Sequence, residues 1–146
     1  MPMFWQRWLE IAFLLVTLFG IVYALFGATA LFAPALGPIL GNFWPGGVIP
    51  PEMRGFARFS FGIAGGLTAG MGLLGWFVAR HAVRRGERWG AVALLWSLAL
   101  WFVLDSGMSV YSGAPLNVIV NGAFLILGVL PLIMLWPHLH RRADAS

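Results

Sequence analysis

The chain has 146 residues, of which 60% are hydrophobic and 10% are charged, and its formal net charge is +4 at pH 7. A soluble globular domain is close to half apolar and a quarter charged, so this composition excludes an ordinary soluble protein and predicts an integral membrane protein. Cysteine is absent, which excludes disulfides and thiolate-bound metals, and the basic residues are all arginines that flank apolar runs, so no nucleic-acid-binding domain is predicted.

Four apolar runs are long enough to cross a bilayer, which takes about 20 helical residues. The predicted spans cover residues 9–32, 56–79, 89–111 and 116–136. We therefore predict an all-α fold, a single membrane domain over residues 1–146 that forms a bundle of four transmembrane helices.

An apolar loop over residues 33–55 joins the first two spans. Its five prolines, which rule out a continuous helix, are Pro34, Pro38, Pro45, Pro50 and Pro51. We expect this loop to lie on the membrane surface or over the mouth of the bundle; the alternative is a simple connector.

The distribution of arginines predicts the orientation. The loop over residues 80–88 is basic, and Arg7, Arg141 and Arg142 fall on the same side of the membrane, whereas only Arg54 and Arg58 fall on the other. Basic loops stay in the cytoplasm, and the number of spans is even. Both termini are therefore predicted to be cytoplasmic, in a multi-pass protein of a bacterial-type inner membrane.

Glycines recur on one face of the second span. Gly62, Gly66 and Gly70 lie four residues apart, and such a strip allows a neighbouring helix to approach closely. We expect packing within the bundle; the alternative is docking of another subunit.

Asp105 is the one carboxylate inside the third span, and an unpaired charge in hydrocarbon is costly. Arg54 and Arg58 near the start of the second span, and Asn117 and Asn121 near the start of the fourth, fall at a similar depth. We expect Arg58 to pair with Asp105 and Asn121 to support the pair through its amide.

This polar cluster has two interpretations. It is either an internal clasp that fixes helix register or an outward-facing site in which Arg58 and Asp105 bind a polar head group. In the second case Trp101 and Phe102, one turn below Asp105, would line an apolar pocket.

No further chemistry is indicated. The three histidines, His81, His138 and His140, lie at span ends, so haem ligation within the membrane is not predicted. No metal site, catalytic set or phosphate-binding loop is present in the sequence. We predict no cofactor other than a bound lipid or another lipophile.

The layout resembles small bacterial four-helix membrane proteins of the broad DoxX-like type. The resemblance is carried by the proline-rich loop, by "EMRGFARFSFGIAGG" at the second span and by "RRGERWG" before the third. It implies the four-helix membrane fold and assigns no catalytic or binding residue.

The small size and the absence of catalytic groups favour a non-catalytic role, as an accessory or assembly subunit of a larger membrane complex. The expected partners are membrane lipids and either other membrane subunits or further copies of the chain. The alternative function is a binding protein, transporter or isomerase for a lipophilic small molecule, with its site around Asp105 and Arg58.

Overall fold

The computed structural model describes residues 2–140, and Arg141 and Arg142 lie outside the described residues. Its five α-helices are α1 (Met3–Phe26), α2 (Ala33–Leu40), α3 (Arg54–His81), α4 (Arg88–Tyr111) and α5 (Leu116–Leu135). No β-strand occurs between residues 2 and 140. Four helices are long and apolar enough to cross a membrane, which confirms the predicted all-α fold with four candidate spans.

Helix α1 begins six residues earlier than the predicted first span, at Met3 rather than residue 9, and it ends at Phe26 rather than residue 32. Thr29 adopts an extended conformation (φ −107°, ψ 168°), so the helix cannot continue through the apolar residues that follow. The apolar composition of residues 27–32 therefore extended the predicted span beyond the true helix end.

The proline-rich loop contains the short helix α2. Pro34 lies in the first turn of α2, where no helical partner exists for its missing N–H, and Pro38 removes only one hydrogen bond from an eight-residue helix. Beyond α2, Gly46 and Gly47 have φ values of 70° and 67° and turn the chain back toward α3. The prolines therefore prevent a long helix in this loop but are compatible with a short one.

The four long helices form two neighbouring pairs. Helices α1 and α3 make the most extensive contact, and α4 and α5 are joined by a tight turn in which Gly113 has a φ of 78°. Helix α1 also packs on α5, whereas α3 and α4 make few contacts. Gly90 at the start of α4 meets Ala82 just beyond α3, so these two helices approach each other at one end of the bundle.

The end of the bundle where Gly90 meets Ala82 is called the basic end. Its arginines are Arg7, Arg80, Arg84, Arg85 and Arg88. The buried core lies in the same half of the bundle and consists of Leu9, Phe13, Ala79, Val83, Ala91, Leu94, Leu98, Leu132 and Leu135. The opposite end, which carries Asn117 and Arg54, is named the polar end.

Polar contacts join α1 to α3 at the basic end. The buried Gln6 amide donates to the Ala79 carbonyl at 2.9 Å, and Arg80 pairs with Glu10 at 3.0 Å. Arg88 also stacks on Trp136, with its guanidinium carbon 4.4 Å from the ring centroid. The helices are therefore held together most firmly at this end.

On α3, the glycines that bring α1 and α3 together are not those of the predicted strip. A Cβ at Gly20 would meet the backbone of Gly65 and Ala69, and one at Gly72 would meet Thr17. These contacts, together with the buried Ala79, follow a seven-residue repeat (65, 72, 79), as in left-handed helix pairs.

The predicted packing of the Gly62, Gly66 and Gly70 strip within the bundle has to be corrected. Nothing else in the described chain lies within 4 Å of a Cβ built at Gly62, Gly66 or Gly70. In a helix with 3.6 residues per turn, residues four apart are rotated by about 40° from each other around the axis. Residues spaced by four therefore move away from the contact face with α1, which residues spaced by seven follow. The strip faces outward instead.

We predict that Gly65→Ala destabilises the protein by about 1–3 kcal/mol, because the new methyl would overlap the Ala24 backbone, which cannot move aside. Gly66→Ala, one residue away and facing open space, is the control and should leave stability unchanged or slightly raised. Unfolding in detergent measures both, and equal effects of the two variants would contradict the seam.

Candidate functional site

The short turn between α4 and α5 brings the polar residues of the polar end together. Asp105 and Ser109 lie one turn apart on α4, and Asn117 and Asn121 lie one turn apart on α5. Because the helices are antiparallel neighbours, the two pairs face each other across their interface. The structure thus brings Asp105, Asn117 and Asn121 together.

One oxygen of Asp105 is held by the two amides. The Asp105 Oδ1 atom accepts hydrogen bonds from Asn121 Nδ2 at 2.8 Å and from Asn117 Nδ2 at 2.9 Å. Each amide uses its second proton as well, Asn121 toward Ser106 Oγ at 3.2 Å and Asn117 toward Ser109 Oγ at 2.9 Å. The network therefore fixes the direction of the carboxylate.

The Ser109 hydroxyl completes the network from the same helix. Its oxygen lies 2.7 Å from the Asp105 carbonyl oxygen and 3.3 Å from Asp105 Oδ1. A hydroxyl has a single proton, so the shorter contact to the carbonyl is the main hydrogen bond. This bond leaves the hydroxyl oxygen free to accept from Asn117.

The second carboxylate oxygen, Asp105 Oδ2, accepts no hydrogen bond from any residue between 2 and 140. Asp105 borders a cavity of about 550 Å³ at the polar end. Because the amides occupy Oδ1, Oδ2 is the carboxylate oxygen that is left for a further partner.

Most of the remaining cavity wall is apolar or aromatic, and Ser109, Ser112 and Asn117 add polar groups to it. Tyr23 of α1 and Phe61 of α3 form one side, with their rings edge to face at 5.1 Å. The opposite side is the polar face of α4, and the cover is provided by α2 and the loop after it through Leu36, Ile39, Leu40 and Phe43. The proline-rich loop therefore lies over the mouth of the bundle.

The expected ion pair between Arg58 and Asp105 is not formed. Arg58 is exposed, and the one ion pair within residues 2–140 joins Arg80 to Glu10. Ala57, the residue before Arg58, is buried where α3 packs on α1. Arg58 therefore points away from the bundle. Arg54, one turn earlier, is exposed as well.

The expected aromatic lining also has to be corrected. Phe102 borders a different groove of about 490 Å³ between α4 and α5, together with Trp96 and Trp136, and Trp101 does not border the Asp105 cavity. Phe102 and Asp105 are three residues apart, which turns them by about 60° from each other around the helix axis, and they border different cavities. The rings at the cavity are those of Tyr23, Phe43 and Phe61.

Sequence reasoning missed Tyr23 and Phe61, which come from helices other than α4. Tyr23 carries the one phenolic group inside a predicted span, apart from Tyr111 at a span end, and this signal could have marked it. Phe61 gives no such signal, because it is one of 12 phenylalanines in the chain.

The site offers one carboxylate oxygen of fixed orientation, Asp105 Oδ2, beside a largely apolar cavity. Among residues 2–140, no three His, Cys, Asp or Glu side chains are grouped so that they could hold a metal ion. Asp105 Oδ2 can accept a hydrogen bond or attract a positive charge, and the aromatic rings can contact an apolar body.

We predict that Asn121→Ala destabilises the protein by about 0.5–2 kcal/mol, because the buried amide donates to both Asp105 and Ser106. Asn42→Ala is the matched control, since Asn42 is exposed and its amide bonds only to its own helix end. Unfolding by denaturing detergent measures the difference. Equal stability of the two variants would show that the network does not hold α4 to α5.

No protein-family model, curated protein or solved structure matches this chain. The resemblance to DoxX-like proteins stays a prediction, and the function has to be argued from the geometry of the site.

Proposed function

We propose that the protein binds a lipophilic molecule whose polar head contacts Asp105 at the polar end of the bundle. The observation that carries this proposal is the free Oδ2 atom of Asp105, which its neighbours leave unbonded beside a largely apolar cavity of about 550 Å³. A structural clasp needs only Oδ1, which the two amides occupy, so Oδ2 is left to another partner. Binding requires no second acid or base, so the proposed role is non-catalytic.

The chemistry of the cavity favours a cationic head group. No arginine or histidine among residues 2–140 borders the cavity, so Asp105 has no counter-ion there within the described chain. A carboxylate at membrane depth is stabilised when a cation accompanies it, and aromatic rings, which Tyr23, Phe43 and Phe61 bring to the cavity wall, can also attract cations. A long-chain ammonium satisfies both the carboxylate and the apolar wall.

We predict that Asp105→Asn weakens binding of dodecylammonium by at least about tenfold, the loss expected for one charge-assisted hydrogen bond. Asparagine keeps an oxygen that accepts from Asn117 and Asn121, so the fold should be retained. Titration calorimetry of the protein in phosphatidylcholine nanodiscs measures the binding.

Glu52→Gln is the control, because it removes one exposed acid from the loop and leaves the cavity unchanged. Empty nanodiscs and dodecanol, which has the same chain without the charge, report partitioning into the lipid. Equal binding to the wild type and to Asp105→Asn would rule out the proposed site.

We further propose that both termini face the cytoplasm of a bacterial-type inner membrane, so that the Asp105 cavity opens toward the other side. The concentration of arginines at the basic end supports this orientation. Because the chain has no cysteine, single cysteines at Glu52 and Arg84 test it directly. A membrane-impermeant maleimide should label Glu52→Cys in intact spheroplasts and Arg84→Cys only after lysis; the reverse pattern would refute the orientation.

A role as an accessory or assembly subunit is the second candidate function. The observation that favours it is the strip of Gly62, Gly66 and Gly70, which faces outward and has nothing from residues 2–140 packed on it. Glycine strips in membrane helices allow close approach of another helix. The partner would be another membrane subunit or a further copy of this chain.

Native mass spectrometry after gentle extraction from the source membrane tests this second role. Other polypeptides should leave the membrane with the chain at fixed stoichiometry, and Gly66→Leu should release them by filling the strip. Gly107→Leu on α4, also exposed in open space, should not. A chain that is extracted without any other polypeptide would rule out the role in a larger complex.

A further inference from the structure

A second cavity, of about 640 Å³, lies near the basic end between α1 and α5. Its lining on α1 runs from Met3 to Val16, and α5 contributes Phe124, Leu127 and Gly128. At 1.5 Å per residue the α1 wall is about 20 Å long, somewhat more than the depth of one leaflet of a hydrocarbon core about 30 Å thick. The groove therefore has the length of a lipid acyl chain.

The groove is built by a proline and an indole. Pro131 has no N–H, so the carbonyl of Leu127 one turn earlier lacks its helical partner. The Trp8 indole N–H from α1 donates to this carbonyl at 3.1 Å. The bond joins α1 to α5 and fixes the Trp8 ring as part of the groove wall.

A glycine gives the groove its depth. Gly128 of α5 is buried against Leu98 of α4, and a Cβ at this position would come within 2.9 Å of Leu98 Cδ1. Without a side chain here, the surface of α5 recedes and Leu98 becomes the floor. The groove is thus a cleft between helices and is more than the shallow relief of a lipid-facing surface.

One charged residue borders this groove. Arg7 is exposed in the second turn of α1, and no hydrogen bond or ion pair joins its side chain to another residue between 2 and 140. The other lining residues are apolar apart from the Trp8 indole, which is already bonded. An apolar cleft that carries an unpaired cation near one end matches one acyl chain with an anionic head group.

We propose that this groove is a binding site for an anionic phospholipid, with one acyl chain between α1 and α5 and the phosphate on Arg7. A zwitterionic lipid offers the same chain but a weaker charge complement to the arginine. The site lies at the opposite end from Asp105 and selects the opposite charge, so it is independent of the function proposed above.

Native mass spectrometry of the delipidated full-length protein, titrated with phosphatidylglycerol or phosphatidylcholine of identical chains, tests the charge preference. Arg7→Gln should weaken phosphatidylglycerol binding about fivefold, the effect of one arginine near an anionic lipid, and should weaken phosphatidylcholine binding by a smaller factor. Arg84→Gln is the matched control: it removes the same charge from the same end but lies outside the groove and should change nothing.

A second pair of variants tests the chain-binding part. Ala12→Phe fills the groove from α1 and should reduce binding of phosphatidylglycerol, whereas Ala93→Phe places the same ring on an exposed position of α4 outside the groove. The proposal is overturned if the wild type binds both lipids equally, or if Arg7→Gln and Arg84→Gln, or Ala12→Phe and Ala93→Phe, have equal effects.

Discussion

The close contact between α1 and α3 determines how the rest of the molecule is arranged. Gly20 and Gly65 let the two backbones touch, so the contact has no room for any side chain at these positions. In a membrane, where water does not drive helices together, such close packing is a main source of cohesion. The same rotation of α3 turns Arg58 and the strip of Gly62, Gly66 and Gly70 outward and directs Phe61 toward the Asp105 cavity.

The two ends of the bundle differ in what fills them. Large apolar side chains such as Leu9 and Leu132 fill the core at the basic end, beside the groove between α1 and α5. At the polar end α3 does not close against α4, and the space is left to a cavity under α2. Packing therefore supplies rigidity at one end, while the Asn117 and Asn121 amides supply it locally at the other. A fixed carboxylate beside open space is an arrangement suited to recognition.

The fold class and the partners of Asp105 on α5 could be predicted from the sequence, because hydropathy marks spans and a short turn makes α4 and α5 antiparallel neighbours. The rotation of each helix about its axis could not be predicted. A spacing of four suggested Gly66 for the seam, but the seven-residue repeat through Gly65 is the one that packs. Because the sequence does not specify how α3 and α4 are rotated about their axes, Arg58 and Phe102 were predicted to lie at the Asp105 site, which neither residue reaches.

The pairing of the helices also bears on how the protein is made. Each of the two main contacts, α1 with α3 and α4 with α5, joins spans that follow one another along the chain, so both hairpins can form in the order in which the ribosome delivers them. The wall of the Asp105 cavity, however, takes Tyr23 and Phe61 from the first hairpin and Asp105 and Asn117 from the second. This cavity, like the groove between α1 and α5, is complete only when the two hairpins dock, so neither hairpin alone contains a complete binding site.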